Sequence, residues 1–434
     1  MADSVKIQGW CPTAWKPMQA QDGWIVRIRP HCASLNVAQW RALAELALAH
    51  AHPQLELTRL GNIQLRGLHA SQLDQVRSQL VAAELVPANA DEDLAPAVHC
   101  SPLYARHDLT HQLAQSLSHA VATRLSPHAL QTLGLNALPS KFGLLVDDEQ
   151  QSLRDIGADL RLHVLPASAT AQTEHIAPRY ALTLGSSGKA YVYASATEAI
   201  EAAVQIAIWF AGERVRDDKQ DGRQAITRLQ QKLAYLPQDL PALRTATVQQ
   251  ASPGASATSP LTPGEHGRHF VLGAPLGRVN AQAVLLLASH LPPNTEIRVT
   301  PWRSLLVADG ATTIALTALD SASWIVESRD ARSRVSACTG SPGCTQALMP
   351  AQHMALQFAK HLAKGMHLHI SGCAKLCALG KEATAVVYAS QSDAAQLLLN
   401  AYTAAQPQAR IQIPFQAQLS EPAQIQELIH ELSI

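Results

Sequence analysis

The order strand, helix, strand, strand occurs twice in this sequence, and that duplication restricts the fold more than any other feature. In the first copy the alternating run Trp24-Ile25-Val26-Arg27-Ile28-Arg29 predicts a strand, and an apolar 3.6-residue period predicts a helix over about 37–49. Strands over Gln54 to Thr58 and Asn62 to Arg66 follow. The second copy has His269 to Leu272, a helix over Ala281 to Ser289, then Glu296 to Thr300 and Trp302 to Val307. A longer segment follows each copy. Tyr191-Val192-Tyr193-Ala194-Ser195 in the first such segment recurs as Val386-Val387-Tyr388-Ala389-Ser390 in the second, and a Ser-Pro pair precedes each, at Ser101-Pro102 and Ser341-Pro342. The stretch 251–264 is rich in Pro, Ser and Gly and has neither charge nor period, so it reads as an exposed connection between two halves. The duplication therefore predicts a pseudo-two-fold molecule, with ligands bound where its units meet.

Composition removes several classes of function. An apolar content of 47% excludes a disordered chain. The 34 basic and 34 acidic side chains cancel, which argues against a general nucleic-acid binder. No apolar run approaches the ~18 residues of a membrane span, and Met1 to Lys6 contains no apolar signal core. The expected compartment is the cytoplasm. There the seven cysteines are expected to be reduced, metal-bound or catalytic.

Four of those cysteines are grouped as Cys338-x5-Cys344 and Cys373-x3-Cys377, flanked by Gly340, Gly343 and Gly372. Glycine allows the close turns that wrap backbone around a compact inorganic core. Four thiolates satisfy one 4Fe–4S cube, and this is the preferred reading. A zinc site fits less well, because structural zinc usually draws ligands from shorter C-x2-4-C knuckles. The plain alternative is four buried cysteines. Cys11, Cys32 and Cys100 share no spacing and read as small packing residues.

Ala337-Cys338-Thr339-Gly340-Ser341-Pro342-Gly343-Cys344 with Cys373-Ala374-Lys375-Leu376-Cys377 resembles the cluster motif of the sirohaem nitrite and sulfite reductases. Asn62-Ile63-Gln64-Leu65 and Thr300-Pro301-Trp302-Arg303 resemble the same family in the two smaller units. Within the family, Cys11-Pro12-Thr13, Lys16-Pro17-Met18, Asp22-Gly23 and Val26-Arg27-Ile28-Arg29 look most like the precorrin-3B synthase branch. The resemblance implies an α+β fold with pseudo-two-fold duplication. Two ferredoxin-like half-domains, 1–85 and 265–329, pair into one unit. Two α/β lobes, 90–250 and 330–434, cover it, and the second binds the cluster. In the reductases Cys377 would hold the position that bridges the cluster to the sirohaem iron. In the synthase branch the tetrapyrrole is the substrate, precorrin-3A, and dioxygen is the co-substrate. The resemblance also brings in a non-haem iron and a separate electron donor, an NADH-linked reductase or a ferredoxin.

The reductases aim two arginines and two lysines at their anion. One arginine belongs two residues before Asn62, where this chain has Leu60, with Arg59 one place early. On a strand that shift would turn the side chain to the other face. Pro96-Ala97 stands where the second arginine is expected, and of the lysine pair only Lys141 remains, with Gly143 in the other place. These departures favour the synthase over an anion reductase.

A ligand rich in carboxylates needs basic partners, and Arg binds carboxylates through two parallel hydrogen bonds. Candidates are Arg27 and Arg29 on one strand face, Arg332 and Arg334 spaced likewise before the cluster, and Arg59, Arg66, Arg298, Arg303 and Lys141. Asn62 and Gln64 are candidate hydrogen-bonding partners of the macrocycle. His367 with His369, and His107 with His111, are candidate ligands of the non-haem iron. Gly185-Ser186-Ser187-Gly188-Lys189 lacks the spacing of a phosphate loop, and no Gly-x-Gly-x-x-Gly fingerprint occurs. The expected function is therefore precorrin-3B synthase chemistry on a 4Fe–4S scaffold. A sirohaem reductase and a non-catalytic electron carrier are the alternatives.

Overall fold

The computed structural model describes residues 10–166, 177–185, 187–218, 226–251, 261–309, 319–362, 364–380, 382–389, 395–399 and 411–415. Most of the connection at 251–264 lies outside the described residues. In the first half-domain the hairpin Met18–Ala20 and Gly23–Ile28 turns at Gly23, whose φ is +119°. A Cβ there would lie 2.8 Å from the Gly67 backbone, so only glycine permits this approach. The helix Val37–His50 starts at Asn36, whose side chain caps the Gln39 amide while the Gln39 side chain caps Asn36 in return. The second half-domain repeats the pattern. Its hairpin is Gly264–His266 with His269–Gly273, and Asn280 caps the helix Ala281–Ser289.

Neither half-domain completes its own sheet. The first sheet runs Met18–Ala20, Gly23–Ile28, Ile63–Leu68, Gln54–Leu57, and ends on Arg278–Asn280 from the second half. The second runs Gly264–His266, His269–Gly273, Ser304–Val307, Glu296–Val299, and ends on Ser34–Asn36 from the first. The two helices lie against each other over one continuous core. Trp40 is fully buried in it and donates its indole N–H to the Ile297 carbonyl at 3.1 Å, across the junction.

Each lobe is a mixed sheet. In the first lobe Ala97–Cys100, Gly143–Asp147 and Leu160–Leu165 are parallel neighbours, and Arg179–Leu184, Lys189–Tyr193 and Thr247–Gln250 continue antiparallel. The long helix Ala196–Asp218 packs on this sheet. In the second lobe Val335–Ala337, Leu368–Ser371 and Ala385–Ala389 are parallel, and Ala395–Leu399 and Ile411–Phe415 continue antiparallel.

This register corrects the repeat read from letters. Ala385–Ala389 is the third strand of its lobe, and its counterpart is Leu160–Leu165, with Val387 answering to Leu162. Lys189–Tyr193, which carries the similar letters, is the fifth strand from Ala97–Cys100. Buried strands favour Val and Tyr, so the likeness reflects burial in a sheet rather than position. The candidates Arg332 and Arg334 also lie on a short 3-10 helix, Ala331–Arg334, rather than on a strand.

Two inner-strand histidines are buried: His163 in the first lobe and His369 in the second. Burial, helped by Arg161 beside His163 and by Arg303 and Arg59 near His369, depresses each to about 4 from the ordinary 6.5. Between those values the unfolded chain binds protons that the folded chain refuses, so stability is full above pH 6.5 and falls as the pH drops toward 4. The expected loss is roughly 1.4 kcal/mol per pH unit for each histidine. Urea midpoints compared at pH 7 and pH 5 check this, and His163→Gln should flatten the slope. Equal midpoints at the two pH values would contradict it.

Candidate functional site

The four grouped cysteines sit on the two loops that follow the first two parallel strands of the second lobe. Cys338 comes directly after Val335–Ala337, is buried, and donates its N–H to the Ile370 carbonyl at 3.0 Å. Its Sγ accepts the Gly372 N–H at 3.1 Å. Cys344 is half-buried, and its carbonyl accepts the Ala347 N–H at 3.0 Å. Cys373 follows Leu368–Ser371, and the Ser371 hydroxyl donates to its carbonyl. Cys377 is exposed, next to Leu376 with its left-handed φ of 53°. The loops approach too closely for side chains: a Cβ on Gly372 would lie 2.7 Å from the Ala347 Cβ, and one on Gly340 would lie 2.6 Å from the Ala351 nitrogen.

Burial pushes the Cys377 thiol up, and the neighbouring sulfurs of Cys338, Cys373 and Cys344 push it further. The other three grouped sulfurs therefore lie near Cys377. Yet among the described residues no three His, Cys, Asp or Glu side chains converge on a point that could hold a single metal ion. The donor set fits a 4Fe–4S cube held by Cys338, Cys344, Cys373 and Cys377.

Cys338 and Cys377 face a cavity of about 320 Å³ where both half-domains meet the second lobe. Three arginines line it: Arg59, Arg278 and Arg303. Glu56, Gln64, Gly277 and Gln352 are also in the wall. Arg59 pairs with Glu382, and Arg278 bonds Glu56 and Gln352. Arg303 is different. Its Nε is buried without a partner. Burial draws its guanidinium below the ordinary arginine range, and the positive charge of Arg59 adds to that. A buried donor with no acceptor costs about 1–3 kcal/mol, so an anion placed here would be bound at a site that needs it.

The backbone makes the same point. The turn Thr58 to Asn62 and the turn Thr300 to Ser304 are equivalent: Thr58 N–H bonds the Asn62 carbonyl and Thr300 N–H bonds the Ser304 carbonyl, each at 2.9 Å. Gly61 takes the left-handed position of the first turn, with φ 68°. In the second turn Arg303 holds that position at φ 58°. A left-handed arginine stores backbone strain, and such strain gathers at functional sites.

Several candidate residues lie elsewhere. Arg27 is spent on Gln64, at 3.1 and 2.7 Å. Arg29 lies just past the strand and turns away to the Asp93 carboxylate and the Ala95 carbonyl, so it does not share a face with Arg27. Arg66 is buried and binds Asp22 with two bonds, at 3.0 and 2.9 Å, and reaches the Gly343 carbonyl at 3.3 Å. It anchors the cysteine loop to the first half-domain. Arg298 is buried against the Tyr104 ring at 3.7 Å and donates to the Pro102 and Tyr104 carbonyls. Arg332 is held by Asp330 and three carbonyls, and Arg334 bonds the Met366 carbonyl. Lys141 is exposed on the first lobe, and the backbone of Asn62 closes its own turn. Arg59 lies in a turn rather than a strand, so the face-switching expected of a one-residue shift does not apply, and its side chain lines the cavity.

Arg278 and Gln352 were missed. Arg278 was findable by aligning Arg278-Val279-Asn280 with Ser34-Leu35-Asn36, because both runs end on a helix-capping Asn. Of the histidine pairs, His369 bonds the Ser336 hydroxyl at 2.9 Å, and the His111 Nδ1 accepts the His107 N–H at 3.0 Å while its ring stacks on Tyr104.

Residues 17–83 match the model for the nitrite/sulfite reductase ferredoxin-like half domain. The structure of the Mycobacterium tuberculosis NirA protein superposes with a TM-score of 0.64 at 16% identity, covering 87% of this chain and 74% of that one. This chain has the nitrite and sulfite reductase fold. A precorrin-3B synthase from Sinorhizobium sp is 28% identical over 405 residues, 86% of this chain and 79% of the relative. In this nitrite and sulfite reductase fold, no described helix is long and apolar enough to cross a membrane.

Arg66 links the two parts of the site. Arg66→Ala leaves the half-buried Asp22 with only His52 nearby at 3.7 Å, and should lower stability by about 2–3 kcal/mol in urea unfolding, on the scale of one lost charged hydrogen-bond pair. A change below about 1 kcal/mol would mean the clamp is not structural.

Proposed function

We propose that this chain is a precorrin-3B synthase: an oxygen-dependent monooxygenase that hydroxylates precorrin-3A between rings A and D, with a ring A acetate closing to a lactone. One observation carries the reading. Two of the grouped cysteines, Cys338 and Cys377, line the same cavity as Arg59, Arg278 and Arg303. The similarity to the Sinorhizobium precorrin-3B synthase supports it. A 4Fe–4S cluster on the four cysteines would supply electrons one at a time at the cavity edge, drawn from a separate donor protein. A cavity of about 320 Å³ is at the small end for ligand sites, so it takes one carboxylate-bearing edge of a macrocycle rather than the whole ring. Arg303 holds an acetate or propionate through its partnerless Nε. Arg278 and Arg59 exchange part of their bonding to Glu56 and Glu382 for ligand carboxylates. Gln64 and Gln352 orient the edge by hydrogen bonds. Dioxygen is the co-substrate.

The position of Arg59 favours a second reading, sirohaem-dependent sulfite or nitrite reduction, because three guanidinium groups beside Cys377 would also suit a small anion. An absorbance spectrum after anaerobic purification separates the two. Cluster absorbance without sirohaem bands is expected; stoichiometric sirohaem would replace the synthase with the reductase. A bare electron carrier would show the cluster but no oxygen-dependent conversion of precorrin-3A. Iron and sulfide analysis of Cys377→Ser should show the cluster lost or depleted. Arg303→Ala should weaken precorrin-3A binding about 10- to 100-fold, the worth of one charged hydrogen bond. Lys141→Ala should leave it within about twofold, on the scale of an exposed charge. Equal effects of the two substitutions would place the ligand elsewhere.

A further inference from the structure

One row of side chains crosses the sheet of the first half-domain. Arg27, Gln64, Glu56 and Arg278 are register partners on four neighbouring strands. Their strand neighbours Val26, Ile28, Ile63, Leu65, Leu55 and Leu57 belong to the shared core, so the row lies on the opposite face. Gln64, Glu56 and Arg278 line the cavity. Each member of the row bonds the next. The Arg27 guanidinium donates to Gln64 Oε1 at 3.1 and 2.7 Å, Gln64 Nε2 donates to Glu56 Oε2 at 2.9 Å, and Arg278 donates to Glu56 Oε1. Glu56 thus joins a cation of the second half to an amide of the first. The equivalent row of the second sheet is Val271, Leu306, Arg298 and Ser34. Val271 and Leu306 are buried and apolar, so a sheet of this kind forms without a bonded polar row. The polar row belongs to the cavity side alone.

We propose that Glu56 is a positioning residue of the site: its carboxylate holds Arg278 and Gln64 at the cavity wall before a ligand arrives, and so sets the affinity of the cavity for a carboxylate-bearing edge. The affinity clause rests on the synthase reading; the placement of Arg278 does not. Two effects of Glu56 oppose each other. As a negative charge in the wall it repels an anionic edge, so on charge alone its removal would strengthen binding. As an anchor it keeps two binding groups in place. Its Oε1 bonds Arg278 and lies 3.8 Å from Arg66 Nε, so it separates two cations that face each other. Burial already disfavours the Arg278 charge, and Arg66 adds to that. Without the carboxylate between them the two guanidinium groups repel, and Arg278 turns away from the wall. Glu56 also fixes the Gln64 amide. Only the amide oxygen accepts from Arg27 and only its nitrogen donates to Glu56, so the amide has one orientation. The anchoring effect wins, because groups already in place are not ordered at the expense of binding.

Two variants separate charge from placement. Glu56→Gln removes the charge and keeps the length; Glu56→Asp keeps the charge and loses the reach. The ligand-free, full-length proteins are labelled with phenylglyoxal, which modifies accessible guanidinium groups, and mapped by peptide mass. Arg278 is expected to be labelled several times faster in both variants than in the wild type, with the rate at Arg298, in the equivalent row, unchanged. An unchanged Arg278 rate overturns the proposal. So does equal acceleration at Arg298, or failure of both variants to fold, since Glu56 would then be structural only. Precorrin-3A titration supplies the affinity. Glu56→Gln should weaken binding about tenfold in the wild-type background and add little to Arg278→Ala, because Glu56 acts through Arg278. Tighter binding by Glu56→Gln would show that charge outweighs placement and would overturn the proposal. If the wild type does not bind precorrin-3A while Arg278 labelling still responds to both variants, the synthase reading falls and the anchoring role of Glu56 stands.

Discussion

The exchange of one strand between the half-domains is the constraint on which the rest of this structure depends. Arg278–Asn280 completes the first sheet and Ser34–Asn36 completes the second, so neither sheet closes without the other half. The shared core, with Trp40 bonded to the Ile297 carbonyl, follows from that exchange. So does the site. Arg278 pairs with Glu56 in register, which brings a cation of the second half against the wall of the first, directly beneath the cysteine loops. A duplicated chain that folded as two separate units would have no such cavity.

Symmetry of backbone with asymmetry of side chains explains why one side is open. Ser101 answers to Cys338, each donating its N–H to the second strand of its lobe, and Asp148 answers to Gly372. Where the second lobe gathers thiols, the first has a hydrogen-bonded network: the Ser101 hydroxyl lies 2.5 Å from the Asp148 carboxylate, which also binds Ser152. Arg298 answers to Glu56, and the Tyr104 ring packs against its guanidinium. The single replacement of a left-handed glycine, Gly61, by the left-handed Arg303 then aims a charge into the open cavity.

The duplication, the helices and most strands were legible because alternation and capping are local signals. Asn36 and Asn280 mark the helix starts, and the half-domain strands fall within a residue or two of their expected ends. The grouping of the four cysteines on two loops was legible because spacing and glycine are sequence properties. The arginines were not. Ten basic or polar candidates besides Arg303 looked alike as letters, and only Arg59 and Gln64 among them line the cavity. What separates Arg303 from Arg298 is which partner lies within reach: Arg298 has two carbonyls, a carboxylate and a ring, whereas the Arg303 Nε has none. That depends on contacts between residues far apart in the chain. Arg278 was hidden by the strand exchange itself, since its position beside Glu56 is a property of the pairing between halves.

Zero net charge is consistent with a strongly cationic cavity because the compensation is local and incomplete. Glu56 and Glu382 meet Arg278 and Arg59, and the charge of Arg303 is left over. A guanidinium whose Nε is buried without a partner, in a strained backbone position, is a poor way to stabilise a fold, since burial disfavours its charge and the left-handed φ adds about 1–3 kcal/mol. The fold tolerates it because the turn is held at both ends by Thr300 and Ser304, whose hydroxyls meet at 2.7 Å and whose backbones are paired. Gly277 leaves room for the side chain, since a Cβ there would lie 2.7 Å from the Arg303 Cδ. Glycine on one side, strain on the other and a missing acceptor between them are features that folding alone does not require, and the carboxylate of the proposed substrate would account for all three.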